Sequence, residues 1–254
     1  MSFRTGALAL TSVALIVLGA SVTPSVMPLG WSQDAPRDAE VLLGAMQIER
    51  GDWVADVGSG EGEYTLQMAE AVGDSGRAFA VDIDEDDLEE LNEEIKARDV
   101  ANITTVSSVY ANPMLPRRSF DALLVRNAYH EFTAHASMLR HMRTALEPGG
   151  RLVMEESIED DLVDADRERQ VDDHDLGMRH ARRELTRAGF EIAREVDTLR
   201  DGGDHRHWMI VATRPAGQDI SENASHIPEV ERSGSGGCGS LWLYAARFFL
   251  QIFA

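Results

Sequence analysis

Apolar positions recur at two different periods along residues 38–214. Short stretches that are apolar on both faces predict strands at Trp53–Val57, Ala78–Ile83, Ile103–Ser107, Ala122–Val125 and Arg151–Glu155. Between them, apolar residues three and four apart predict helices. The first covers Glu40–Ile48, with Val41, Leu42, Ala45 and Ile48 on one side. Others cover Tyr64–Val72, Asp86–Arg98 and His135–Leu146. Leu88, Leu91 and Ile95 form the stripe of the third helix, with Asp84 placed to cap it and Asp87 as a weak capping partner. Met138, Leu139, Met142 and Leu146 give the fourth its core face, and the turn Glu147-Pro148-Gly149-Gly150 ends it. A further helix, Met178–Ala188, stops at Gly189. Two strands, Phe190–Asp197 and His207–Thr213, then flank a hairpin loop, Leu199–Asp204. Glu155–Asp175 is acidic and aperiodic, so it reads as a mobile loop or cover. Strand–helix alternation of this kind predicts an α/β fold on a mainly parallel sheet.

The two ends of the chain follow other rules. Arg4 precedes the apolar run Ala7–Ala20, and small residues and prolines follow through Pro28. That order suits a signal peptide. An uncleaved anchor is the rival, because the cleavage site is poor, with no clean A-x-A, and roughly 17 residues can span a bilayer. Arg4 ahead of the run and acids behind it place the main domain outside the cytoplasm, exported or membrane-anchored. A start at Met27 would instead remove the leader and leave a cytoplasmic protein. Residues 215–240 are polar and glycine-rich, as a flexible linker is. The hydrophobic tail 241–254 rises about 21 Å as a helix, short of the roughly 30 Å core of a bilayer. Arg247 and Gln251 give it a thin polar stripe, which suits an interfacial helix, a partner-binding helix or an out-of-frame end alike. The expected organisation is a leader and linker (1–37), a globular domain (38–214), a linker (215–240) and the tail.

Composition narrows the function. The 254 residues suffice for one full domain, and a 43% hydrophobic content supplies its core. Acids number 44 against 24 bases, for a formal charge of −20. A field of that sign repels phosphate backbones, so nucleic acid is not an expected partner. Cys238 is the one cysteine, which excludes an intrachain disulfide and a cysteine zinc cluster.

The sharpest chemical signal is Asp56-Val57-Gly58-Ser59-Gly60-Glu61-Gly62-Glu63. Apolar strand residues run into an acid, then glycines at 58, 60 and 62, then a helix. Glycines let the backbone turn tightly and let a ligand approach without a Cβ clash. The spacing differs from the G-x-G-x-x-G of dinucleotide folds. Asp56, Glu61 and Glu63 would also repel a pyrophosphate, whereas a ligand bearing an ammonium or sulfonium group suits them. Asp82, at the end of the second strand, can accept hydrogen bonds from two ribose hydroxyls, and Ile83 can pack on a flat base. Asp82 and Asp84 also read simply as helix openers.

In order and spacing, the chain resembles the class I S-adenosylmethionine-dependent methyltransferases. The resemblance rests on D-V-G-S-G-E-G at 56–62, V-D at 81–82, S-F-D-A-L-L at 119–124, L-E-P-G-G-R-L at 146–152 and R-A-G-F at 187–190, and it spans about residues 38–214. It implies a doubly wound, Rossmann-like, seven-stranded and mostly parallel sheet with the last strand antiparallel. It implies S-adenosylmethionine as cofactor, with Asp56, Gly58, Gly60 and Gly62 around the methionine moiety, Asp82 at the ribose and Ile83 against adenine. The family often places an acid after strand three. Here Asn112 or Ser108 stands in that stretch, and either can accept a hydrogen bond.

The loop after strand four reads Arg126-Asn127-Ala128-Tyr129-His130-Glu131 and would face the transferable methyl group. Asn127 is placed to bond the methionine end, Tyr129 to shape the methyl pocket, and His130 to act as a general base or as a wall of the site. Asp172-Asp173-His174-Asp175 reads as a solvated loop, because adjacent residues seldom converge on one ion. His205 and His207 flank a strand start, so no metal is expected. The resulting reading is methyl transfer to a small molecule, with an acceptor pocket built from the first helix, the strand-four loop and residues 155–175. A catalytically inactive binding protein of the same fold, at the membrane or in the periplasm, is the alternative. The glycine spacing argues against a nicotinamide oxidoreductase.

Overall fold

A computed structural model describes residues 35–201 and 203–217. All of them belong to the unit Gln33–Ala254, which is distinct from Met1–Ser32. The leader, Met27, Cys238, the segment beyond residue 217 and the hydrophobic tail lie outside the described residues. Among those described, no helix is long and apolar enough to cross a membrane.

Seven strands form one sheet in the order β3-β2-β1-β4-β5-β7-β6. They are β1 (Trp53–Val57), β2 (Arg77–Asp82), β3 (Ile103–Ser107), β4 (Phe120–Arg126), β5 (Leu146–Glu159), β6 (Glu191–Asp201) and β7 (His205–Thr213). Neighbours from β3 to β5 pair in parallel, and β7 runs antiparallel to both β5 and β6. The helices are α1 (Ala35–Met46), α2 (Glu63–Val72), α3 (Glu85–Ala97), α4 (His135–Ala145), α5 (Arg167–Asp172) and α6 (Met178–Arg187), with a 3-10 turn at Tyr129–Glu131. The predicted doubly wound sheet, with its last strand antiparallel, is therefore the fold.

Strand parity builds the two cores. Val54, Ala78, Leu124 and Val153 face Leu42 and Met46 of α1 and Met68 and Val72 of α2. Ala55, Phe79, Leu123 and Met154 face Leu139 and Met142 of α4 and Leu185 of α6. Each buried valine, leucine, methionine or phenylalanine among them contributes about 1.5–3 kcal/mol relative to exposure. Trp53, Phe79 and Phe120 stack at the start of their strands, with Phe79 and Phe120 edge to face at 5.0 Å.

Several predicted bounds shift. α3 opens as expected, with the Asp84 carboxylate accepting from Asp86 N–H at 2.9 Å. The Glu147–Gly150 turn is not a break: β5 starts at Leu146 and continues to Glu159. Pairing explains the length. β4 holds β5 only as far as Glu155, whereas β7 holds it to Glu159, opposite His205. The acidic stretch 155–175 is consequently no mobile loop. Its start is β5, α5 follows, and Leu162, Gln170, Asp175 and Leu176 are buried.

Candidate functional site

The strand order reverses between β1 and β4, and in such sheets ligands bind beyond the carboxyl ends of the strands at that point. β1 leaves there through the glycine turn. Gly58, Gly60 and Gly62 take φ of +81°, +49° and +79°, the left-handed region that side chains disfavour. At Gly58 space is also decisive: a Cβ would stand 2.4 Å from the Ala128 Cβ at the end of β4. The turn is stitched to β2, with Gly58 N–H and Ser59 N–H donating to Val81 O at 2.8 and 3.2 Å.

Asp82 completes this tie. Its Oδ2 accepts Gly60 N–H at 2.8 Å, and its Oδ1 accepts Ile83 N–H at 2.7 Å and Asp84 N–H at 3.0 Å. One carboxylate thus clamps the glycine turn to the β2–α3 turn. A carboxylate has about four acceptor positions, so room remains for a hydroxyl donor such as a ribose. Apolar side chains stand exposed beside it. Ile83 follows Asp82 directly, and Val109, Tyr110 and Met114 follow the neighbouring β3, with Tyr110 73% exposed. Unshielded apolar groups around a polar clamp suit a nucleoside, whose base is flat and whose sugar is polar. Val109 and Tyr110 were legible only as apolar residues in an otherwise polar turn. Asn112 is turned to local work: its Oδ1 accepts Met114 N–H at 2.9 Å. Ser108 N–H bonds Asp82 O at 2.7 Å.

Asp56 lies beneath the turn. Only 2% of it is exposed, and Thr65 Oγ1 donates to its Oδ2 at 3.0 Å. Burial pushes its carboxyl up to about 7, against the opposing pull of that hydrogen bond and of Arg126. Arg126, ending β4, sits 4.7 Å over the Tyr64 ring and 3.5 Å from Glu155 Oε2. Glu155 Oε1 meets His207 Nδ1 at 2.7 Å. A charged floor therefore crosses the sheet from β1 through β4 and β5 to β7. Its members Glu155 and His207 carried no motif in the sequence.

The predicted methyl-side residues separate. Asn127 is exposed at φ +47°, its N–H donating to Glu155 O at 2.8 Å. Tyr129 is fully buried, and its hydroxyl donates to Glu184 Oε2 of α6 at 2.9 Å. Burial and then the Glu184 charge hold the phenol far above its usual range. It braces the wall from behind and offers no group to the cleft, which corrects the expectation that it shapes the pocket directly. His130 is buried, with Nδ1 2.8 Å from Glu156 Oε2. Glu156 Oε1 also accepts the backbone N–H groups of Tyr129 and His130, at 2.5 and 3.2 Å. Burial works against the imidazolium, but the Glu156 bond and charge outweigh it and raise the His130 pKa.

His205 and His207 do not act together. His207 serves Glu155, while His205 Nδ1 meets Asp204 at 3.1 Å, with Glu159 and Asp175 at 3.5 and 3.8 Å from Nε2. Both Asp175 oxygens already accept hydrogen bonds, from Ser157 Oγ and Glu159 N–H, each at 3.0 Å.

Known proteins align with this arrangement. The chain is 25% identical over 135 residues to a demethylmenaquinone methyltransferase of a Geobacillus species, covering 53% of this chain and 55% of that one. It is 32% identical over 108 residues to a ubiquinone/menaquinone biosynthesis C-methyltransferase of Azotobacter vinelandii, covering 42% and 43%. The chain thus spans about half the length of these relatives. A methyltransferase from Aquifex aeolicus, described as dependent on S-adenosylmethionine, shares the fold with a TM-score of 0.60 at 20% identity, over 69% of this chain and 89% of that one. The methyltransferase domain family model matches residues 54–150, the span from β1 to the start of β5 that holds the glycine turn, Asp82 and the His130 loop. Over that span the chain is similar to methyltransferase domains, and its fold is the one found in S-adenosylmethionine-dependent methyltransferases of known structure.

Proposed function

We propose that the protein transfers the methyl group of S-adenosylmethionine to a small-molecule acceptor. The observation that carries this reading is the Asp82 clamp on Gly60, set beside the exposed Ile83, Val109 and Tyr110. S-adenosylmethionine supplies an electrophilic methyl on a sulfonium sulfur. Asp82 would hold the ribose, Ile83 and Tyr110 would cover the adenine, and the glycine turn would admit the sulfonium chain close to the backbone. Asn127, exposed beyond β4, would bond the amino-acid end. In-line displacement depends chiefly on alignment, so the chain must position the acceptor rather than activate it strongly. The His130 wall and the β5 end bound the acceptor side. The names of the quinone methyltransferases among its relatives recommend demethylated quinones for the first acceptor panel. The apolar leader Ala7–Ala20 favours attachment of the protein at the membrane.

Calorimetric titration of the full-length protein tests the donor. S-adenosylmethionine and S-adenosylhomocysteine should bind saturably, NADH should not, and Asp82→Ala should weaken binding at least tenfold while keeping the parent circular-dichroism spectrum. A folded protein that ignores both sulfur ligands would overturn the reading and favour a non-catalytic role. Fractionation of a tagged full-length chain tests location, and recovery in the soluble cytoplasm alone would refute membrane attachment.

A further inference from the structure

We propose that His130, Glu131 and His174 bind a divalent first-row transition ion, with zinc the best match. Their donor atoms come from two segments far apart in sequence, and all lie within 4.8 Å of one another. His130 Nε2 and Glu131 Oε1 are 3.8 Å apart. Tetrahedral zinc with bonds of about 2.0–2.2 Å holds its ligands roughly 3.4 Å apart. Glu131 and His174 are both exposed, so their side chains have space to rotate toward that spacing.

The support around the cluster is that of a metal site. A ligating histidine usually gives its other ring nitrogen to a carboxylate, which fixes tautomer and ring direction. His130 does so: Nδ1 meets the buried Glu156, itself pinned by two backbone N–H groups, and Nε2 is left toward Glu131. His174 is fixed by separate means. Its φ of +60° is unusual for a side-chain-bearing residue. Leu176 N–H donates to Ser157 O at 3.0 Å, and the Asp175 carboxylate grips Ser157 and Glu159, so the segment is fastened to the end of β5. Consecutive β5 residues, Glu156 and Ser157, therefore bring the two histidines to one place, with rings 6.0 Å apart and nearly perpendicular.

The partners proposed for His174 come from the β4 loop, which the solvated-loop reading of 172–175 did not bring into account. Two imidazoles and one carboxylate favour zinc or similar ions over magnesium or calcium, which prefer oxygen alone. Three protein ligands leave coordination positions open to water or to an oxygen on an acceptor.

The test uses the tag-free full-length protein after chelation, titrated with Zn2+ in millimolar Mg2+ and without any methyl donor. Its outcome is thus independent of the methyl-transfer reading. Binding of one Zn2+ per chain is expected, with a rise in Tm. Glu131→Gln and His174→Asn should each lower the affinity at least tenfold. Both positions are exposed, and asparagine tolerates positive φ, so the fold should persist. Absence of stoichiometric Zn2+ binding, or variants that bind as the parent does, would overturn the proposal. Displacement of Zn2+ by the Mg2+ would overturn it too, because it would mark diffuse attraction to an acidic surface.

Discussion

Replacing Asp56 by asparagine should raise stability at alkaline pH, and the size of the gain follows from burial. The side chain ends β1 beneath the glycine turn, with Thr65 Oγ1 as its hydrogen-bond donor. Burial lifts its carboxyl from 3.8 to about 7. The folded state therefore holds this proton more tightly than the unfolded chain does. Well below pH 4 both states are protonated and the site costs nothing. Between about 4 and 7 the unfolded chain sheds the proton first, and stability falls as pH rises. Above 7 the full difference is present. At about 1.4 kcal/mol per unit, the gap amounts to about 4 kcal/mol. Asparagine keeps the shape and cannot ionise. The difference in unfolding free energy between Asp56→Asn and parent should then grow by about 4 kcal/mol from pH 4 to pH 8. Urea unfolding at intervals across that range measures it, and taking the difference cancels groups distant from the site. A difference that stays flat within 1 kcal/mol would refute the reasoning and place Asp56 in a far better solvated setting.

Other substitutions probe the same region. Gly58→Ala should destabilise by at least about 2 kcal/mol, since the new Cβ meets Ala128 in a left-handed turn; adding Ala128→Gly should recover part of the loss in thermal melts. Tyr129→Phe removes the hydroxyl bond to Glu184 and should lower the unfolding free energy by about 1–2 kcal/mol, with S-adenosylmethionine affinity unchanged by calorimetry. Leu139→Ala opens a cavity between α4 and the sheet and should lower unfolding free energy by about 2–5 kcal/mol in urea.

Local signals carried much of the architecture. β1 and β3 match their predicted bounds because each is a short run buried or half-buried between turns. Asp84 was legible as a cap because capping depends on two residues along the chain. Only the middle of β5, Arg151–Glu155, was legible, because its last four residues are strand only by virtue of β7, some fifty residues later. The glycine turn and Asp82 were visible as spacing. Their joining, Gly60 N–H to Asp82 Oδ2, is a tertiary contact that spacing only suggested. The misses on the other side of the site share one cause. Tyr129 looks like a pocket residue until Glu184 of α6 is brought against it. Glu156 is an anonymous acid until the fold buries it against His130, and the His174 ring meets His130 only once β5 has gathered their two segments.

The dependence of β5 on β7 has a consequence for how the protein is born. A ribosome adds about 5–20 residues per second, so the first half can fold before the second emerges. The glycine turn, Asp82 and β1–β4 all lie ahead of residue 127, and a nascent chain can assemble them early. Glu156–Glu159 have no strand partner until His205–Trp208 arrive. The carboxylate that orients His130, and the anchorage of His174, are thus completed among the last events of synthesis. A fragment released before residue 205 would keep the donor half and lack a firm wall opposite it. The order of the genetic message makes the two halves separable, so variation in the late segment can reshape the His130 side of the site while leaving the early segment intact.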